Sequence, residues 1–168
     1  MIGDRWGVDD DEVARRYPCD DVVPSPVLQA WRGVTARATP EQLWPWVAQI
    51  RLAPYSYDWI DNLGHRSPRE LRGLADPAAG EPFTTVGGGR ACGTVLSAVV
   101  GESYTGEILG SVLSYVLVAS GEHRTRLLLK VVLRRGRLIA PAVSVGDLVM
   151  ARRQLLTLAR LAETRPTG

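Results

Sequence analysis

The chain has 168 residues, of which 45% are hydrophobic and 23% are charged, and its formal net charge is +2. This composition predicts one soluble globular domain, and no stretch approaches the roughly 18 consecutive apolar residues that a membrane span requires. The basic residues are scattered between acids rather than gathered into a block, so nucleic acid is not an expected partner. The oligomeric state is left open.

The N-terminal stretch MIGDRWGVDDDEVARRYPCDD is acidic and polar. A secretory signal would carry basic residues followed by an apolar run, so this stretch predicts a cytoplasmic protein. Cys19 and Cys92 lie far apart without a metal-type spacing, which predicts two free thiols. Prolines interrupt any long regular element before residue 27. Residues 1–26 are therefore predicted to form an arm along the surface of one domain that spans 27–164.

The first predicted strand is VLQAWRGVTARA, residues 27–38, which is rich in β-branched and aromatic residues. It ends at Thr39 and Pro40, a capping residue followed by proline at the first helical position, so a helix is predicted to follow. Apolar residues in this helix recur at spacings that place one stripe on a core. The stripe comprises Leu43, Trp44, Val47 and Ile50. A second short helix is predicted over YDWIDNLG, with Gly64 in its C-terminal capping position.

From about residue 82 to residue 134, short apolar stretches alternate with glycine-rich turns, which predicts an antiparallel meander. In the last stretch, TRLLLKVVLRR, apolar residues alternate with Arg126, Lys130 and Arg134. We therefore expect this strand to have one dry and one solvated face. The predicted dry face comprises Leu127, Leu129, Val131 and Leu133.

The last predicted element is a helix over 144–163, in which Ser144 and Asp147 have the spacing of a capping box. Its apolar stripe comprises Leu148, Ala151, Leu155, Leu158 and Ala162. The sheet is the large apolar surface on which this stripe can lie. The order of elements predicts an α+β helix-grip fold, with a curved antiparallel β-sheet wrapped around a long C-terminal α-helix and two short helices after the first strand. Because such a sheet does not collapse completely onto one helix, a cavity is expected between them.

The stretch WRGVTARATPEQLWPWVAQIRLAPYSYDWIDNLG resembles the N-terminal half of bacterial members of the START-like superfamily, also called SRPBCC or polyketide cyclase/dehydrase-like proteins. In that family a similar strand precedes a Pxx(L/V)W helix, a glutamine and a YSYDW turn. The stretch GDLVMARRQLLTLARLAE is similar to the closing helix of the family, and the two blocks span most of residues 27–163. The resemblance implies an apolar internal cavity, which the superfamily uses for lipids, sterols, polyketides and plant hormones. In some members the cavity serves cyclisation or dehydration of polyketide chains. The resemblance nominates no catalytic residue.

The segment APYSYDWIDNLGHRSP, residues 53–68, concentrates aromatic and acidic side chains. The residues of interest are Tyr55, Tyr57, Asp58, Trp59 and Asp61. They could anchor the loop to the core through hydrogen bonds, line the mouth of a cavity, or act in acid-base catalysis. We favour structural anchoring over the cavity mouth, and the cavity mouth over catalysis.

The stretch YTGEILG allows two orientations of a strand. If the face with Glu107 points inward, this residue is a buried carboxylate that could act as a general base or anchor a ligand. If the opposite face points inward, Glu107 is solvated, and Tyr104 and Tyr115 become the inward polar groups. We favour the second orientation.

His65 and His123 are the two imidazoles of the chain, and both lie beside turn-forming residues. Their spacing does not build a metal site, so neither a metal nor a cofactor is expected. The stretch TVGGGRACG lacks the spacing of a phosphate loop and precedes a strand, which indicates a hairpin turn.

The first functional hypothesis is that a small hydrophobic or amphipathic molecule, similar to a lipid or a polyketide, binds in the cavity. The predicted ligand-binding residues are Tyr57, Trp59, Tyr104, Glu107 and Tyr115. One alternative is an enzyme of the aromatase or cyclase kind, which requires an inward titratable group. The candidates for that group are Asp58, Asp61, Glu107 and an arginine such as Arg90. The other alternative is a protein whose cavity is filled by side chains and which acts through a partner.

Overall fold

A computed structural model describes residues 4–58, 62–134 and 140–164, and of residues 140–149 it describes the backbone alone. The described residues form one curved, unclosed sheet of seven strands together with several helices. The predicted α+β helix-grip fold is confirmed.

The strands follow the order β1-β2-β7-β6-β5-β4-β3 across the sheet. Their bounds are Arg5–Trp6 (β1), Leu28–Ala36 (β2), Pro82–Val86 (β3), Arg90–Val99 (β4), Ser103–Ile108 (β5), Ser111–Ala119 (β6) and Thr125–Leu133 (β7). The predicted antiparallel meander is present as β3 to β7, and β2 extends the sheet by pairing antiparallel with β7 along its whole length. The short strand β1 pairs parallel with β2, so the sheet is mixed.

Four α-helices accompany the sheet in the described residues. Their bounds are Asp10–Ala14 (α1), Pro18–Val22 (α2), Pro40–Ala48 (α3) and Ala140–Glu163 (α4), and a 3-10 turn spans Gln49–Leu52 directly after α3. The predicted start of α3 is confirmed, because Thr39 caps it in a reciprocal arrangement with Gln42 and Pro40 occupies its first turn.

The 3-10 turn is a second short helix after the first strand, and the helix predicted over residues 57–64 includes residues 59–61, which lie outside the described residues. The described residues of that stretch form a turn, in which the Gly64 amide donates to the Asp58 carbonyl oxygen at 2.7 Å. Gly64 has a φ of +83°, a left-handed conformation that favours glycine. Trp59 and Asp61 lie outside the described residues.

Helix α4 begins four residues before the predicted position, so the predicted capping box of Ser144 and Asp147 is wrong. Both residues lie inside the helix. Pro141 stands in the first turn of α4, where proline is favoured because its missing N–H would have no helical partner. The proline therefore indicates the start of the helix better than the spacing of Ser144 and Asp147 does.

Helices α3 and α4 pack on the same face of the sheet, which we call the concave face. The apolar stripe of α4 is confirmed where side chains are described. Ala151, Leu155, Leu158 and Ala162 of the predicted stripe are buried, Ala159 is buried beside them, and the Leu148 side chain lies outside the described ones. Helix α4 lies mainly over β2 and β7, and α3 contacts both α4 and β6. The main core of the molecule therefore lies between these two helices and the concave face.

The opposite face, which we call the convex face, is covered by residues 8–23. Tyr17 and Cys19 pack there against Leu128 and Val132 of β7, and all four side chains are buried. The expectation that one face of β7 is solvated is therefore wrong. Lys130, which was assigned to that solvated face, is 5% exposed because the N-terminal segment lies over it.

Candidate functional site

Three aromatic rings pack together on the concave face, and each ring centroid lies within 6.4 Å of the other two. Phe83 of β3 stacks on Tyr104 of β5 with ring centroids 5.0 Å apart, and Tyr115 of β6 lies 6.3 Å from Tyr104. Gly106 makes this packing possible, because a Cβ atom at that position would lie 2.1 Å from the Phe83 ring. We call Phe83, Tyr104 and Tyr115 the aromatic cluster.

The two phenols of the aromatic cluster have different partners. Tyr104 donates to the Phe83 carbonyl oxygen at 2.7 Å, and burial raises the pKa of its hydroxyl, which therefore stays neutral. Tyr115 donates to Oε1 of Gln154 in α4 at 2.5 Å, and Nε2 of the same glutamine donates to the Pro54 carbonyl oxygen at 2.6 Å. Gln154 thus joins the sheet, the C-terminal helix and the 53–68 loop. We call the Tyr115–Gln154 hydrogen bond the bridge.

The described part of the concave side is closed. Tyr104, Tyr115, Leu129 and Leu155 are each at most 2% exposed. A side chain with almost no accessible surface borders no void large enough for water. Among the side chains that the structure describes, the predicted cavity is therefore filled in the state seen here.

The 53–68 loop is anchored to the core, as the favoured interpretation had it. Tyr55 is 1% exposed and its hydroxyl accepts from Gln49 Nε2 at 2.6 Å. Asp58 accepts from both the amide and the hydroxyl of Ser67, at 3.0 and 2.5 Å. Asp58 therefore holds the loop and does not present its carboxylate to the concave side.

Tyr57 is half-buried, and its ring lies 5.8 Å from the guanidinium carbon of Arg153 on α4. This contact places Tyr57 beside the exposed side of α4. Arg153 directly precedes Gln154, the residue of α4 that forms the bridge. Trp59, which was predicted together with Tyr57 as a ligand-binding residue, lies outside the described residues.

Glu107 lies on the convex side and not beside Tyr104. Its carboxylate lies 3.5 Å from the Arg134 guanidinium, and its side chain is 43% exposed. The favoured orientation of β5 is thus the observed one, with Tyr104 and Tyr115 inward. Arg90, at the start of β4, is exposed. Neither residue supplies the inward titratable group that a cyclase mechanism requires, and Asp61 lies outside the described residues.

Sequence reasoning overlooked Arg32 in β2. Arg32 stands opposite Leu129, so it lies on the concave face, and it is fully buried. Its Nη1 donates to the carbonyl oxygens of Asp4 and Trp31, each at 2.8 Å. The alternation of side chains along β2 could have indicated that Arg32 is buried, because Arg32 shares its strand face with Ala30 and Val34.

Trp46 of α3 was also overlooked. It is 3% exposed and belongs to the main core, and its indole Nε1 has no acceptor among the described residues. Trp44, two residues earlier, donates from Nε1 to Asp76 Oδ1 at 2.9 Å. The helical stripe predicted that Trp44 would be buried, but no pattern in the sequence indicates whether an indole N–H finds a partner.

The clefts that the described residues form include two on the outside of the core. One, of about 360 Å³, runs between α3 and the segment 71–76 and is walled by Trp44, Pro45 and Leu71. The other, of about 460 Å³, lies at the turn between β6 and β7, where Arg37, His123 and Arg124 meet. Neither cleft reaches the aromatic cluster.

Within the described ranges, no three His, Cys, Asp or Glu side chains come together as a metal site would require. Cys19 and Cys92 are free thiols, and burial raises the pKa of Cys19 to about 11, which keeps it protonated. None of the helices in this part of the chain combines the length and apolar character that crossing a membrane requires.

The chain is similar to several proteins of known structure in its fold. No family model matches the chain, and no curated protein matches it. Among solved structures it is similar to protein MLL2253 from Mesorhizobium loti, with a TM-score of 0.55 and 16% identity over 82% of this chain and 98% of that one.

Two further solved structures show the same likeness. The conserved protein of unknown function EF2215 from Enterococcus faecalis matches with a TM-score of 0.51 and 11% identity, over 84% of this chain and 74% of that one. The KanY protein matches with a TM-score of 0.51 and 14% identity, over 81% of this chain and 97% of that one. At such identities a likeness shows a common fold and not a common ligand. The chain therefore shares its fold with these proteins, and the order of its elements makes that fold a helix grip.

Proposed function

We propose that this protein binds a small apolar or amphipathic molecule, similar to a lipid or a polyketide, between the concave face and α4 beside the bridge. We also propose that the chain belongs to the START-like superfamily, because the resemblance of its sequence blocks and its fold agree. The ligand's apolar body would lie on the aromatic cluster.

The observation that carries the proposal is the position of α4 relative to the aromatic cluster. The helix packs mainly over β2 and β7, whereas the rings stand on β3, β5 and β6. The bridge is the described hydrogen bond between these two parts. Breaking the bridge would allow α4 to move away from the three aromatic rings, whose surface suits a flat apolar ligand.

The energies involved allow such an opening. The bridge contributes about 1 kcal/mol of net stability, as a hydrogen bond between neutral groups does. Burying roughly 300 Å² of apolar ligand surface yields about 7 kcal/mol before the entropic costs of association. Loss of the bridge is therefore a minor cost beside the burial of a ligand of this size.

The first test is native mass spectrometry of freshly purified protein, which should detect a co-purifying small molecule. Titration with the neutral fluorophore N-phenyl-1-naphthylamine should then show saturable binding. Absence of both signals would contradict the proposal and favour the alternative in which side chains permanently fill the interior and the protein acts through a partner.

The substitution Tyr115→Phe tests the location of the site. It removes the bridge, so the fluorophore should bind about fivefold more tightly than to the wild-type protein. Tyr104→Phe is the matched control, since it removes a hydroxyl from the neighbouring ring whose partner is within the sheet. Equal affinities for both variants would place the site elsewhere.

Catalysis is not proposed, because the inward arginine, Arg32, donates to the backbone carbonyl oxygens of Asp4 and Trp31 and the other described candidates do not face the concave side. Glu107 and Arg90 lie outside the interior, and Asp58 is occupied by Ser67.

A further inference from the structure

Trp46 carries a buried hydrogen-bond donor that has no acceptor among the described residues. The residue is 3% exposed and belongs to the same cluster of buried side chains as Tyr115 and Leu155. Trp44 shows what the same group does on the same helix when an acceptor is near, because its Nε1 donates to Asp76. The two indoles thus differ in partner and not in chemistry.

An unpartnered buried donor is uncommon and requires an explanation. The N–H group of Trp46 has lost its hydrogen bond to water and gained no acceptor from the described residues in return, which opposes folding. Phenylalanine at this position would supply an apolar ring without that penalty. In the closed interior, the indole N–H of Trp46 therefore does not contribute to the stability of the fold.

We infer that Trp46 determines the specificity of the proposed ligand site, and that the ligands it selects are apolar molecules bearing a hydrogen-bond acceptor, such as ketones, esters, lactones or quinones. This inference rests on the proposed function. The ligand's oxygen accepts the Nε1 proton while its hydrocarbon body packs on the surrounding apolar side chains. A hydrocarbon of the same shape leaves the donor unpaired and binds more weakly.

The test uses two probes that differ by one carbonyl group, 1-tetralone and tetralin. Calorimetric titration of the wild-type chain should give about tenfold tighter binding of 1-tetralone than of tetralin. In the variant Trp46→Phe the two affinities should become equal, mainly because 1-tetralone loses affinity. Trp44→Phe is the matched control and should keep the wild-type ratio, since its indole is bound to Asp76.

A second measurement makes the test independent of how well the variants fold. In the wild-type protein, the indole N–H resonance of Trp46, assigned by nuclear magnetic resonance, should move downfield when 1-tetralone is added and stay nearly in place with tetralin. A purely structural role of Trp46 would produce no such difference between the two probes.

The possible failures are distinguishable. If both probes bind with equal affinity to the wild-type chain and the Trp46 resonance does not respond to the carbonyl group, this inference is wrong and the proposed function stands. If neither probe nor N-phenyl-1-naphthylamine binds, the proposed function fails and this inference fails with it.

Discussion

Gly106 permits the close packing of the aromatic cluster at the scale of single residues. The residue lies in the middle of β5, where glycine is usually unfavourable because it has no side chain to pack. Here the ring of Phe83 occupies the space that a Cβ atom would need, at 2.1 Å from its ideal position. The glycine is therefore required by a contact between strands and not by the backbone of a turn.

The substitution Gly106→Ala should destabilise the protein by about 1–3 kcal/mol, the usual cost of overpacking a core. Chemical denaturation followed by circular dichroism measures this loss. In a Phe83→Ala background the same substitution should cost much less, because the ring that collides with the new methyl group is gone. An equal cost in both backgrounds would show that the Phe83 ring is not the cause.

At the scale of elements, the N-terminal segment packs against the sheet. Residues 1–26 were predicted as an arm along the surface, and in the structure β1 extends the sheet, α2 packs on its convex face, and α1 is tied to β7 through Glu12 and Arg126. Charged contacts hold the segment in place. Arg126 donates to both carboxylate oxygens of Glu12 at 2.7 and 2.8 Å, and Lys130 lies 2.5 Å from Asp20.

Lys130, the only lysine of the chain, illustrates how this contact accommodates a buried cation. Its ammonium group lies 5.0 Å from the Trp31 ring and 5.5 Å from the Tyr17 ring, in addition to its contact with Asp20. Both aromatic faces and the carboxylate offset the loss of water around the charge. The N-terminal segment thus supplies Tyr17 and Asp20 to a residue more than a hundred positions away.

The contact between Glu12 and Arg126 should make the docking of this segment pH-dependent. The Arg126 guanidinium lowers the pKa of Glu12 below its ordinary value of 4.5. A carboxyl group with a lowered folded-state pKa contributes its full stability above 4.5 and loses it as the pH falls through the folded-state value. Wild-type protein should therefore unfold at a higher urea concentration than Glu12→Gln at neutral pH, and this difference should shrink well below pH 4.5.

The matched control for this measurement is Glu122→Gln, in the exposed turn between β6 and β7. Its difference from the wild-type protein should be small at both pH values. A difference between wild type and Glu12→Gln that stays constant across the acid range would contradict the role assigned to the Glu12 carboxylate.

The whole molecule is a sheet covered on both faces, by α3 and α4 on one and by the N-terminal segment on the other. Removing residues 1–23 should expose Val112, Leu128 and Val132, each of which is fully buried. Exposure of three side chains of this size costs about 5 kcal/mol of burial free energy. We expect a lower melting temperature and self-association of the shortened protein in analytical ultracentrifugation.

Tyr17→Phe is the control for this deletion, since it removes only the hydroxyl that donates to the Glu12 carbonyl oxygen at 2.8 Å and keeps the covering ring. This variant should remain close to the wild-type protein in both measurements. A shortened protein that melts and sediments like the full chain would show that the convex face does not need its cover.

From residue 27 onward, the sequence by itself was sufficient for the order of most elements and for the bounds of several of them. The Thr39–Gln42 cap, the meander from 82 to 134 and the apolar stripe of α4 depend on residues a few positions apart, which interact in any chain with that local pattern. The resemblance of two sequence blocks led to the same helix-grip fold. Anchoring of the 53–68 loop was also the favoured interpretation, because tyrosine and aspartate commonly bond nearby backbone.

Only the tertiary structure decided what each surface faces. The alternation in β7 indicated two different faces but could not show that a segment 110 positions earlier, through Asp20, buries the polar one. The same limit concealed the buried Arg32 and the unpartnered N–H of Trp46, since whether a polar atom finds an acceptor depends on residues distant in sequence. The periodicity of a sequence indicates which residues prefer to be buried. Which residue each of them contacts depends on how the whole chain packs.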